Sequence, residues 1–284
     1  MRIDAHQHFW KYDQREYGWI DESMAALRRD FLPADLKPEL ERSGFQGSVA
    51  VQARQTLEET RWLLELAEQA PFILGVVGWV DLRSPRLRIE LELLAGKSKL
   101  VGVRHIVQSD PDERFLLQPD FLRGIAMLEE FDLAYDILIY AKHLPVAAEF
   151  VARFPRQRFV LDHLAKPPIK DGAVDVWAHG IREMAAHPNV YAKVSGLVTE
   201  ADWQAWTCED LQPYLDAAFE YFGPKRLMIG SDWPVCTVAA PYSRVIDVVK
   251  DYIGKYAEEE REAVLGRNAA KFWRLKPLAN QARD

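Results

Sequence analysis

The sequence predicts a single α/β domain folded as a (β/α)8 TIM barrel, and three observations carry that prediction. Eight short apolar segments alternate with helical ones along the chain. The 284 residues lie near the usual length of such a barrel. Neither a Gly-x-Gly-x-x-Gly fingerprint nor a Gly-x-x-x-x-Gly-Lys phosphate loop is present, which weakens an open nucleotide-binding sheet. No linker, low-complexity tract or fixed repeat divides the chain, so residues 1–284 read as one domain.

The first strand is Ile3 to His8. A strand has period two, so Asp4, His6 and His8 are expected to share one face and two imidazoles to point into one space. A polar, aromatic-studded segment follows, about 11–31, with Tyr12, Tyr17 and Trp19. So long a segment is a functional loop or a disordered one, and its aromatics favour an ordered loop, expected to fold over the strand-one histidines as part of the pocket wall. Leu32-Pro33-Ala34-Asp35-Leu36 starts a helix that stops near Gly44, and Phe45 to Val51 is the second strand. Thr56-Leu57-Glu58-Glu59 reads as a capping box opening the next helix.

Six further units follow. Phe72 to Val80 is a near-continuous apolar run suited to a strand covered on both faces, and Ser84-Pro85 opens the helix behind it. Leu100 to Ile106, Leu133 to Tyr140, Arg158 to His163, Val190 to Ser195 and Arg226 to Asp232 complete the strands. The helices between them centre on Phe121 to Leu128, Val146 to Phe154, a stretch ending near His187, and Ala201 to Phe222. The last strand is followed by helices over Tyr242 to Tyr256 and about Glu259 to Leu275.

Composition narrows the function. Thirty-six Lys and Arg against 43 Asp and Glu give a net charge of −7, with no basic block to track a phosphate backbone, so nucleic acid is not an expected partner. Cys208 and Cys236 are too few for a disulfide framework or a cysteine-rich zinc site. The start of the chain lacks the apolar stretch of a signal peptide, and the apolar run from Pro71 to Val80 is too short to span a bilayer. The expectation is a cytoplasmic protein without a membrane partner.

In a barrel the site lies at the carboxyl ends of the strands. Those ends offer His6 and His8, Trp79 and Asp81, Arg104 and His105, Asp162 and His163, Lys193 and Ser195, and Asp232 with Trp233. So many polar groups in one mouth are costly unless they pair or do chemistry.

Three separated motifs then carry a resemblance. Ile3-Asp4-Ala5-His6-Gln7-His8-Phe9-Trp10, Leu161-Asp162-His163-Leu164-Ala165-Lys166-Pro167 and Gly230-Ser231-Asp232-Trp233-Pro234 are similar to the amidohydrolase superfamily. More closely they resemble its lactonase branch, which includes L-fuconolactonases, L-rhamnonolactonases and, more distantly, 2-pyrone-4,6-dicarboxylate lactonase. The likeness runs from Ile3 to about Trp273 and includes Arg267-Asn268-Ala269-Ala270-Lys271-Phe272. It implies a distorted barrel and hydrolysis of a cyclic ester. Binuclear members carry a bridging lysine or glutamate on strand four and a histidine on strand five. Arg104-His105 and a strand five without histidine depart from that pattern, so two metals are not expected. His6, His8 and Asp232, aided by His163, could hold one zinc-like divalent ion, or the site could work without metal, as the pyrone branch implies.

Ester hydrolysis needs an activated water, stabilisation of an oxyanion and a proton for the leaving alkoxide. Asp232 is expected to accept and return the proton, and His6, His8, His163 or a metal to polarise the carbonyl. Arg104 is expected to offer its fork of donors to the carbonyl oxygen or sugar hydroxyls. A serine nucleophile is disfavoured, because no Gly-x-Ser-x-Gly elbow occurs. Trp10, Trp79 and Trp233 could stack on a sugar ring, and Asp81, His105 and Lys166 could bind hydroxyls. Few mouth cations favour a neutral sugar lactone over a dicarboxylate pyrone or muconolactone. A metal-dependent decarboxylase of the same superfamily and an idle binding barrel are the alternatives.

Overall fold

The computed structural model describes residues 1–276. Eight parallel strands are arranged in chain order: β1 Ile3–Gln7, β2 Gly47–Val51, β3 Ile73–Gly78, β4 Leu100–Ile106, β5 Ala134–Leu138, β6 Phe159–Leu161, β7 Val190–Val194 and β8 Leu227–Ile229. Each pairs with the next, and the ring closes just beyond β8, where Asp232 N donates to His6 O at 2.8 Å and His8 N to Trp233 O at 2.7 Å. This is the expected (β/α)8 barrel, with its seam tied at the carboxyl rim instead of along the strands.

The surrounding helices are α1 Pro33–Arg42, α2 Leu57–Gln69, α3 Leu87–Leu94, α4 Pro119–Leu128 and α5 Leu144–Ala152. They continue as α6 Asp175–Ala185, α7 Cys208–Phe222, α8 Tyr242–Ile253, α9 Glu258–Glu262 and α10 Asn268–Phe272. Two expected helices are shorter than read. Residues 201–207 are turns, and α7 starts only where Thr207 and Asp210 form a capping box. The final helix is broken by a wide turn at Ala263–Arg267, because Gly266 packs against Met1 and Arg2 so closely that a Cβ would lie 2.4 Å from Met1 O.

The core has two parts. Outward strand residues and inward helix residues form a continuous layer between sheet and helices, including Val103, Tyr135, Phe121 and Phe150. The barrel interior is packed by Ile3, Ala5, Val49, Val51, Val77, Val160 and Met228, and Phe272, Trp273 and Leu275 close its amino-terminal end. Each fully buried aliphatic or Phe side chain there contributes about 1.5–3 kcal/mol.

One local irregularity decides what β1 presents. Asp4 pairs with Ser48 and Gln7 with Ala50, so three steps on β1 match two on β2. The bulge overturns the expected shared face. Asp4 turns toward Ser231 and Tyr242, whose hydroxyls reach it at 2.6 and 3.1 Å, while His6 turns into the barrel. The segment 11–31 is tied back to the end of β1. Trp10 and Phe31 pair backbone to backbone, and the Trp10 ring sits beside Tyr17, Trp19 and Phe31.

The candidate active site

His6 and His8 are brought to the mouth by the bulged end of β1. Gly230 allows β8 to approach, since a Cβ there would lie 2.8 Å from His6 Cβ. His163 is placed by an unusual turn: His163, Leu164, Ala165 and Lys166 have φ of 52°, 51°, 59° and 52°. Left-handed backbone costs non-glycine residues roughly 1–2 kcal/mol each. Trp177 Nε1 holds the turn by donating to Leu164 O at 2.7 Å. Asp232, φ 58°, follows β8.

These four side chains converge. His6 Nε2 and His8 Nε2 are 3.1 Å apart, and Asp232 Oδ1 lies 3.3 Å from His8 Nε2, 3.7 Å from His6 Nε2 and 3.8 Å from His163 Nε2. Donors on a tetrahedral zinc with bonds of about 2.0–2.1 Å lie roughly 3.3–3.4 Å from one another, so the spacing fits one such ion.

The far ring atoms fit too. His8 Nδ1 is 2.8 Å from Val51 O, a carbonyl that can only accept, so the proton is on Nδ1 and the Nε2 lone pair faces the cluster. His6 Nδ1 is 3.5 Å from Asp162 Oδ1, and His163 Nδ1 is 2.9 Å from Ser195 Oγ. Each imidazole therefore has a partner that can orient it, and His6, His8 and Asp232 form a candidate metal-ligand set.

Burial, followed by the Lys193 charge, holds the His6 imidazolium well below its ordinary range, and burial moves His163 down to about 4. Both are neutral near pH 7. Burial alone would raise Asp232, but the neighbouring imidazoles of His163, His8 and His6 outweigh it and hold the carboxyl low. Asp232 is accordingly ionised.

Below the cluster is a buried charge network in which Asp162 and Lys193, named only as strand-end residues from the sequence, meet Asp136, which was not singled out. Lys193 Nζ lies 2.5 Å from Asp136 Oδ2, 2.8 Å from Asp162 Oδ1 and 3.1 Å from His6 Nδ1. All these side chains are inaccessible to solvent. A lysine or aspartate inside an apolar strand, as in Val-Tyr-Ala-Lys-Val over 190–194 or Ala-Tyr-Asp-Ile-Leu over 134–138, is the signal that could have found them.

Arg104 differs from its expected role. Its fork turns inward, with Nη1 2.9 Å from Asp162 Oδ2 and Nη2 bonded to both the carbonyl and the side-chain oxygen of Gln52. Nη1 also lies 3.4 Å from His6 Nε2. Trp10 is wholly buried and donates to Arg29 O at 2.9 Å, so it offers no face to a sugar. Trp233 is 4% exposed and packed edge-on to Phe9 and Phe31. His105, next to inward-facing Arg104, points the other way by strand alternation, stacks on Phe115 and is 3.3 Å from Trp79 Nε1. These two rings lie against the helix layer. Asp81 accepts from Arg83 N in the turn after β3.

Lys166 is placed where the sequence put it, at the mouth. It pairs with Glu200 at 3.4 Å and stands 5.5 Å above the Tyr140 ring. Both line a cavity of about 780 Å³ with Pro168 and Trp203, and none of the four cluster side chains lines it. Lys142, Lys166 and Lys170 are balanced there by Asp171, Glu200 and Asp202. Among the described residues no helix is long and apolar enough to cross a membrane.

With this geometry in place, the comparisons are specific. A protein named L-fucono-1,5-lactonase from Burkholderia multivorans is 43% identical over 286 residues, covering 97% of this chain and 96% of its own. One of the same name from Burkholderia ambifaria is 40% identical over 286 residues, covering 99% and 98%. A solved structure of an amidohydrolase from Burkholderia multivorans with bound zinc superposes with a TM-score of 0.94 at 43% identity, covering 97% of this chain and 100% of that one. The amidohydrolase family model matches residues 3–275, nearly the whole barrel, and the chain belongs to the amidohydrolase family.

Proposed function

We propose that this chain is a lactonase that opens sugar-derived lactones, of the L-fucono-lactone kind, to the free acid by attack of water on the ring carbonyl. The observation that carries this reading is the meeting of three imidazole nitrogens with the ionised Asp232 at the barrel mouth. The full-length likeness to two L-fucono-1,5-lactonases supports it.

Asp232 takes the proton of the attacking water and returns it to the ring oxygen as the alkoxide leaves, a role that contributes about 10²–10⁴ in rate. Its low proton affinity keeps it anionic throughout the neutral range. His163, fixed by Ser195 and the left-handed turn, holds its Nε2 toward the same space and orients the carbonyl. His6, His8 and Asp232, with His163 beside them, would hold a single zinc-like ion, which would supply positive charge to polarise the carbonyl and acidify water. Arg104 stands beside His6, with Nη1 3.4 Å from its Nε2, and clamps Asp162 and Gln52.

The substrate's hydroxyl-bearing end lies in the cavity of about 780 Å³, where Lys166 and Glu200 bind hydroxyls. Its three lysines and three carboxylates leave no surplus positive charge for a dicarboxylate. The test is acid release from a panel containing L-fucono-1,5-lactone, other neutral aldonolactones and 2-pyrone-4,6-dicarboxylate. Rapid opening of the neutral lactones is expected. Turnover of the dicarboxylate with the aldonolactones untouched would overturn the assignment.

A further inference from the structure

We infer that the Lys193 ammonium is a resident cation standing where a second metal ion would sit, so that removing it opens a latent divalent-cation site in the barrel floor. This concerns the metal capacity of the chain and holds whichever lactone is opened.

Lys193 Nζ is surrounded by Asp136 Oδ2 at 2.5 Å, Asp162 Oδ1 at 2.8 Å and His6 Nδ1 at 3.1 Å. Two carboxylates, joined by the His6 imidazole once its Nδ1 proton leaves to bulk solvent as the ion enters, are a ligand set for a zinc-like ion, which would draw these atoms to about 2.0–2.2 Å. Asp136 Oδ1 is buried and receives no hydrogen bond, so this carboxylate has unused acceptor capacity. The Trp273 ring, 5.1 Å from Nζ, closes the side toward the amino-terminal end of the barrel.

Charge explains why the lysine and a second ion exclude each other. Lys193 and Arg104 offset Asp136 and Asp162, and Asp232 supplies the remaining negative charge of the cluster. One divalent ion at the mouth leaves a small positive excess. A second beside the two fixed cations would build up uncompensated charge in a space closed to water. His6 lies between the two places, with Nε2 toward the mouth and Nδ1 toward the floor.

The experiment replaces the full-length chain's Lys193 by Ala, Lys193→Ala, and measures zinc per folded chain by mass spectrometry after equilibration with zinc alone and removal of the excess. The variant is expected to hold one equivalent more than wild type, and Lys193→Arg the same number as wild type. Lys193→Ala with Asp136→Asn, which removes one of the new ligands, is expected to lose the extra equivalent. If Lys193→Ala is unfolded without metal, zinc is expected to restore its circular dichroism and cooperative melt. A folded Lys193→Ala with the wild-type zinc content, or an unfolded one that zinc does not restore, overturns the inference.

Discussion

Replacing Asp162 by Asn probes the link between the buried network and the mouth. Asp162 receives Arg104 Nη1 at 2.9 Å on one oxygen and faces Lys193 Nζ at 2.8 Å and His6 Nδ1 at 3.5 Å with the other. Burial opposes its charge, but Lys193, His6 and Arg104 outweigh burial and hold the carboxyl well below the usual range. In Asp162→Asn two buried cations share Asp136 alone. Breaking a buried pair costs about 3–5 kcal/mol. Arg104 keeps both its Gln52 contacts, so the lower end, about 3 kcal/mol, is expected. That leaves most domains folded, given typical stabilities of about 5–15 kcal/mol. His6 loses its charged acceptor on Nδ1, and loss of such a partner weakens metal affinity about 10–100-fold. Urea denaturation reads the first quantity and zinc titration against a chelator reads the second. A stability change under about 1 kcal/mol together with unchanged zinc affinity would refute the coupling.

Two other perturbations test separate parts of the account. Glu59 on α2 accepts from Ala53 N at 3.0 Å and Arg54 N at 2.7 Å just beyond Gln52, and burial raises its carboxyl from 4.5 to about 7. The folded state thus binds the proton more tightly, and its contribution to stability, complete below pH 4.5, is lost as pH rises to 7 and beyond. Glu59→Gln lacks this loss, so its stability relative to wild type should climb by up to about 3 kcal/mol across that window; a flat difference in urea melts from pH 4.5 to 8 would count against it. Lys166→Met should raise KM roughly tenfold with kcat within about twofold, because a hydroxyl contact is lost from ground and transition state alike. An unchanged KM removes Lys166 from the substrate's surroundings.

The barrel was legible because apolar strand runs and helical stretches alternate eight times, and β4 begins and ends at the expected residues Leu100 and Ile106. Strand ends were overread, as with Arg158 to His163, where pairing stops at Leu161 and the left-handed turn begins. Pattern cannot foresee four consecutive left-handed residues without glycine, since tertiary bonds such as Trp177 to Leu164 hold them. The four converging side chains came from recognisable motifs. The face assigned to Asp4 failed because a one-residue bulge resets the period of β1. Arg104 was misread for a different reason: a strand-end guanidinium looks free until its partners, Gln52 and Asp162, are seen across the barrel. The Thr56–Glu59 box is half formed. Thr56 accepts from Glu59 N, but the Glu59 carboxylate goes to the β2 loop instead of returning to the cap.

The central claim is that the carboxylate facing three imidazoles does the proton transfer of lactone opening. Asp232→Asn keeps the size and shape of the side chain while removing its charge, and kcat on a neutral aldonolactone tests the claim most directly. The account predicts a fall of about 10²–10⁴ in kcat, with the circular dichroism and cooperative melt of a folded barrel retained. Wild-type turnover in folded Asp232→Asn would contradict it.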